Sequence, residues 1–171
     1  MPRRKDVDIE NQLENAIFNL LKEKEYKDIS ISELCNKAWV SRCTFYRNYK
    51  NMDDIIYQFF MRKSKNWWET NYAKFLKEEK YVSVSLFEYL LSLKDEILTI
   101  YQRGLSHIFE KHIFDSAING RNIFDKEQSY SSARVSGSIV GLTNEWVRRG
   151  MQDSPEYLAK FLNKEIEYKT I

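Results

Sequence analysis

Between Leu34 and Lys50 the chain reads LCNKAWVSRCTFYRNYK, and this window gathers the side chains best suited to hold a polyanion. Lys37, Arg42, Arg47 and Lys50 carry positive charge, Trp39, Phe45, Tyr46 and Tyr49 bring rings, and no Asp or Glu interrupts them. The whole chain sets 27 basic residues against 25 acidic ones, so the local excess is a matter of placement, not composition. Guanidinium groups suit phosphate or guanine, and the hydroxyls of Ser41, Thr44 and Tyr46 suit phosphate oxygens. A small side chain such as Cys43 allows close approach to a groove. A basic helix face taken alone is more often a plain solvated face; the arrangement around it must decide.

Other chemistries find little support. There is no Gly-rich phosphate loop, metal-ligand cluster or nucleophile signature, so neither an enzyme nor a cofactor is expected. His107 and His112 are five residues apart, which does not put them on one helix face, and no Cys lies near them; no metal site is expected. Cys35 and Cys43 fit no zinc or redox spacing and point to a reducing cytoplasm. No run approaches the roughly 18 apolar residues of a membrane span. The basic start, MPRRKDVDIENQ, lacks the apolar stretch of a signal peptide.

The elements that must position the basic window are helices. At 171 residues, with 43 % hydrophobic and 15 % aromatic content, the chain can fill a core, and 5 Gly and 2 Pro are too few to turn an all-β fold. Ile9, Leu13, Ala16 or Ile17, Leu20 and Leu21 form an apolar stripe over about residues 7 to 25. Ser30 and Glu33 form a capping box that opens a short second helix. Ser41 can cap a third helix and Asn51 a fourth, with Ile55, Ile56, Phe59, Phe60, Lys63 and Trp67 marking the fourth helix's buried side. Later helices are expected at about 83–92, 94–103, 106–117, 127–149 and 155–168, with Gly104 and Gly150 as helix stops and Ser154-Pro155 as N-cap and N1.

The second and third helices, joined by a tight turn, make a helix-turn-helix candidate. Leu34, Cys35 and Ala38 supply the inner face of the second helix, and Val40 plugs the core after the turn. Phe45 and Tyr49 anchor the third helix, while Arg42, Cys43, Thr44, Tyr46 and Arg47 face outward. This arrangement moves the basic window from a solvated face to a duplex-DNA contact. Arg3, Arg4 and Lys5 form a basic arm that suits a minor-groove contact as well as it suits a solvated tail.

The stretch ISISELCNKAWVSRCTFYRNYKNMDDII resembles the TetR family of bacterial transcriptional regulators, whose pattern is A-G-V-S, then T-x-Y-x-x-F and an acidic, aliphatic start to helix 4. The match covers about residues 8 to 60. Two positions depart from it. Trp39 stands where the family has Gly, a left-handed turn position where a side chain costs roughly 1 kcal/mol unless the turn is reshaped or the indole packs. Met52 stands where a phosphate-touching Lys commonly begins helix 4, and Lys50 is the nearest substitute.

The resemblance implies an all-α protein with a helix-turn-helix DNA-binding domain over 1–50 and a helical dimerisation and effector-binding domain over 51–171. In the long helix near 127–149, Ala133, Gly137, Val140, Gly141 and Asn144 share one side, and Val135, Ile139, Leu142 and Trp146 the other. The small side could be buried within the chain or against a second copy. The resemblance favours the second copy, with Leu158, Phe161 and Leu162 of the final helix completing a four-helix interface. It also implies an effector pocket lined by aromatics such as Trp67, Trp68, Phe87, Tyr101 and Phe109, each of which would otherwise be read as core. The expected function is a cytoplasmic, DNA-binding homodimer, a repressor by the commoner habit of the family, controlled by a small-molecule or protein effector. GLTNEWVRRGMQDSPEYL looks like the last two helices of a branch said to answer to protein partners, so the alternative is a helical interaction protein or co-regulator.

Overall fold

The computed structural model describes residues 4–77, 79–118 and 125–163, apart from the side chains of 4–8, 79–81 and 118. The described chain is all helix: α1 (Arg4–Glu23), a 3-10 turn (Tyr26–Asp28), α2 (Ile31–Lys37), α3 (Arg42–Asn48), α4 (Met52–Phe75), α5 (Glu79–Ser92), α6 (Lys94–Gln102), α7 (Ser106–Ile118), α8 (Lys126–Arg148) and α9 (Pro155–Asn163). The chain divides into two compact units, one of residues 1–64 and 95–112 and the other of 65–94 and 113–171.

In the first unit α1 buries Leu13, Ala16, Ile17, Leu20 and Leu21, the stripe expected from spacing. The same side carries Glu14, 5 % exposed, which is tolerable because the Arg62 guanidinium of α4 pairs with both Glu14 and Glu10. Rings fill the centre: Phe18 meets Phe59 edge-on at 4.9 Å, and Phe60 meets Phe109 at 5.3 Å. The carbonyls freed at the end of α1 are taken up by Arg103, whose Nε donates to Leu21 O at 2.6 Å. Lys63 departs from expectation: it is exposed, with its ammonium 5.3 Å from the Phe59 ring centre, because a long cationic stem can lie along the apolar face while its charge stays in water.

The second unit is built around Trp146, fully buried against Phe87, with its indole N–H donated to Asp153 O at 3.1 Å. Leu158 and Ala159 of α9 are buried, and Asn163 Nδ2 donates to Ser83 Oγ of α5 at 2.8 Å. On α8 the buried line runs through Ser136, Thr143 and Trp146. Val135, expected on that line, is 38 % exposed, and Ile139 and Leu142 are half-buried. Ser136 can take the inner position because its hydroxyl donates back to Ser132 O at 2.7 Å and leaves no unmet polar group. The α9 expectation beyond residue 163, like the loop at 119–124, lies outside the described residues.

Candidate nucleic-acid interface

Local caps fix the helix-turn-helix. Ser30 Oγ accepts from Glu33 N at 3.1 Å, opening α2, and Ser41 Oγ accepts from Thr44 N at 3.1 Å, opening α3. Glu33 also takes the Lys24 ammonium at 2.6 Å, which holds its carboxyl below the ordinary range. Asn51 Oδ1 accepts from Asp54 N at 2.9 Å at the head of α4, and Asp54 Oδ2 in turn accepts from Lys50 N at 3.0 Å. The Tyr26 hydroxyl donates to Asp53, tying the 3-10 turn to the same helix start. Each short helix is therefore set by side chains close to it in sequence.

Burial then divides α3 into two sides. Phe45 is fully buried and Tyr49 is 3 % exposed, with their ring centres 6.1 Å apart. Leu34, Cys35, Ala38 and Val40 close the inside of α2 and the turn. Burial raises the pKa of the Cys35 thiol, favouring its neutral form. On the other side Arg42, Cys43, Tyr46 and Arg47 are exposed, and Tyr46 rests edge-on against Phe45 at 5.1 Å. Ser41 and Thr44 hydroxyls lie 2.9 Å apart, so the pair offers a joint polar surface at the start of α3. Among the described residues no acid pairs with Arg42, Arg47 or Lys50, whereas Lys37 is held by Glu23 at 2.6 Å. Arg3 and the side chains of Arg4 and Lys5 lie outside the described residues.

The turn itself settles the question raised by Trp39. Its N–H donates to Asn36 O at 3.2 Å and the Val40 N–H to Cys35 O at 2.9 Å, the paired bonds of a Schellman helix end. Trp39 holds φ +54, so the turn is not reshaped, and its side chain is 92 % exposed, so the indole does not pack. Met52 is half-buried at the first position of α4.

The other sequence-predicted groups are distributed between the units. Ala133, Gly137, Gly141 and Asn144 are exposed on α8, Val140 is half-buried, and a Cβ built on Gly137 or Gly141 would meet nothing within 4 Å. On α9 Phe161 is 50 % exposed and Leu162 half-buried, while Leu158 is buried within this chain. Of the aromatics, Tyr101 and Phe109 pack together in the first unit. Trp67, Trp68 and Phe87 belong to the second, where Trp67 stacks on Tyr89 at 5.3 Å. Sequence reading gave no role to Arg62, because its partners Glu14 and Glu10 lie 48 and 52 positions away and leave no local pattern.

These features define an all-α protein with a helix-turn-helix near its N-terminus. Comparison with known proteins gives the class a family. The model of the TetR-type transcriptional regulator C-terminal region matches residues 74–168, more than half of the chain, and the chain belongs to that family of transcriptional regulators. No curated protein sequence matches it significantly. Among solved structures, that of the dihydroxyacetone kinase operon activator DhaS is similar, with a TM-score of 0.52 and 19 % identity, covering 90 % of this chain and 91 % of that one. At that identity the likeness speaks for the fold. Among the described residues no helix is long and apolar enough to cross a membrane.

Proposed function

We propose that this regulator acts as a homodimer on duplex DNA, with the exposed side of α3 entering the major groove of each half-site. The observation that carries this reading is the division of one seven-residue helix and its C-cap into a buried side, Phe45 and the capping Tyr49, and an outward side of Arg42, Cys43, Tyr46 and Arg47 with no acid paired to either arginine among the described residues. Ser41, Thr44, Lys37 and Lys50 flank it and supply phosphate contacts; DNA must draw Lys37 away from Glu23. Residues 1–50 form the DNA-binding domain, to which Arg3 and the first α1 residues, Arg4 and Lys5, add basic charge, and 51–171 form the dimerisation and effector domain.

The second copy is expected on the open small-residue side of α8, at Ala133, Gly137, Val140, Gly141 and Asn144, beside Phe161 and Leu162 of α9. Two α3 helices then meet half-sites roughly 34–36 Å apart, or a multiple of that, on a near-palindrome. An effector regulates binding by its differential affinity for the two half-site spacings, transmitted through α4. A protein effector is favoured by one observation: Trp68 and Tyr72 of α4 and Leu76 just beyond its end, spaced by four, are 46 %, 48 % and 71 % exposed. We assign repression; because the protein of similar fold is an operon activator, a promoter reporter decides the sign, rising on loss of a repressor and falling on loss of an activator.

The test is binding of the full chain to a duplex enriched from a random pool. Arg42→Ala and Tyr46→Ala should each weaken binding by roughly tenfold with Tm unchanged, and Arg42→Ala should lower the salt slope by about 1. Wild-type affinity in both variants would remove α3 from the interface.

A further inference from the structure

Among the described residues, three helices end in the same turn. After α2, α6 and α8 the amide two residues beyond the last helical turn's cap reaches back to Cys35 O, Ile100 O and Trp146 O at 2.9, 2.8 and 2.8 Å. Each turn needs one residue in the left-handed region, and these residues are Trp39, Gly104 and Gly150, at φ +54, +71 and +70. The chain thus uses Gly at two of the three positions and Trp at the third. A left-handed Trp costs stability that a Gly would not. Met151, the other left-handed non-Gly residue among those described, is 2 % exposed and so packs within its unit, but Trp39 is 92 % exposed and gains almost no burial in return.

The surroundings indicate what the indole meets. Trp39 lies between Lys37 and Arg42 in a stretch without acids, directly before the outward side of α3. The nearest charged residues on either side of it in sequence are cations, which suits a polyanion and disfavours an apolar protein surface. An indole offers a broad apolar face and one N–H donor with no acceptor, which matches a deoxyribose ring beside a phosphate oxygen. We propose that Trp39 is a non-ionic contact to the DNA backbone at the border of the groove that α3 enters, the indole face on the sugar and Nε1–H donated to phosphate. This rests on the DNA-binding reading above and adds a residue whose role is separable from the charged contacts.

The test uses the full chain, the enriched duplex and Trp39→Gly. Gly suits the turn, so Tm should stay the same or rise, while Kd should weaken roughly fivefold or more. The slope of log Kd against log salt should match wild type, since an indole releases no counterion. A structure-independent readout accompanies it: Trp39 is the single Trp of the first unit, the others being Trp67, Trp68 and Trp146. Acrylamide quenching of the exposed emission should fall when wild type binds duplex, and this change should be missing from Trp39→Gly. Wild-type affinity in Trp39→Gly, or no protection of the exposed emission in bound wild type, would overturn the proposal while leaving the DNA-binding reading intact. Failure of wild type itself to bind any duplex would remove both.

Discussion

At the scale of single residues, one cation of the first unit partners a buried acid. Arg62 reaches Glu10 at 2.8 Å and also pairs with Glu14, whose carboxyl is pushed above the ordinary range by burial, an effect that the guanidinium partly offsets. Arg62→Ala leaves Glu14 buried without its partner and should cost about 2–3 kcal/mol, seen as a fall in Tm. The pH dependence has two signs. Glu33 and Glu145, lowered from 4.5 by Lys24 and Arg149, stabilise the fold fully above about pH 4.5 and lose that contribution as pH falls through their lowered folded values. Glu14, raised from 4.5, takes up a proton on folding in the window above 4.5, so its contribution strengthens as pH falls there. Glu33→Gln should flatten the acid limb of Tm against pH slightly, since that carboxylate is solvated; an unchanged limb would remove its ion pair from the fold's stability.

At the scale of elements, helix ends were legible in the sequence because their causes are local. Ser30, Ser41, Asn51 and Ser154 accept from the amide three residues on, and Gly104 and Gly150 occupy left-handed turns. Ser41→Ala should cost about 1 kcal/mol and loosen α3. Gly104→Ala and Gly150→Ala should each cost roughly 1 kcal/mol, or about 2–4 °C of Tm. A Cβ at 104 meets nothing within 4 Å and at 150 only Gln152 at 3.6 Å, so backbone strain is the cause. Rotational setting was less legible. On α8 the periodicity offered Val135 as core, yet the neighbouring Ser136 is the buried residue, because the setting depends on what the other helices of the unit present. Trp39 was recognisable as a departure, but that it keeps the left-handed turn and stays exposed depends on the packing around the turn, which no local pattern encodes.

At the scale of the whole molecule, the open side of α8 makes a clean test of assembly. Gly141→Leu adds a side chain whose Cβ meets nothing within 4 Å in its own chain and which favours helix more than Gly does. Helix content should persist while the sedimentation mass falls from twice 20.6 kDa to one chain; a variant that stays dimeric would place the interface elsewhere. The site's outline followed from spacing around the acid-free window, whereas the operator and effector depend on partners that spacing does not encode. The most direct measurement is selection of bound sequences from a random duplex pool, followed by binding to the winner across salt. A near-palindrome with half-sites one helical turn or a multiple apart, bound with a steep salt slope, is the predicted result. No enrichment, or salt-sensitive binding without sequence preference, would contradict a dimer that reads DNA through α3.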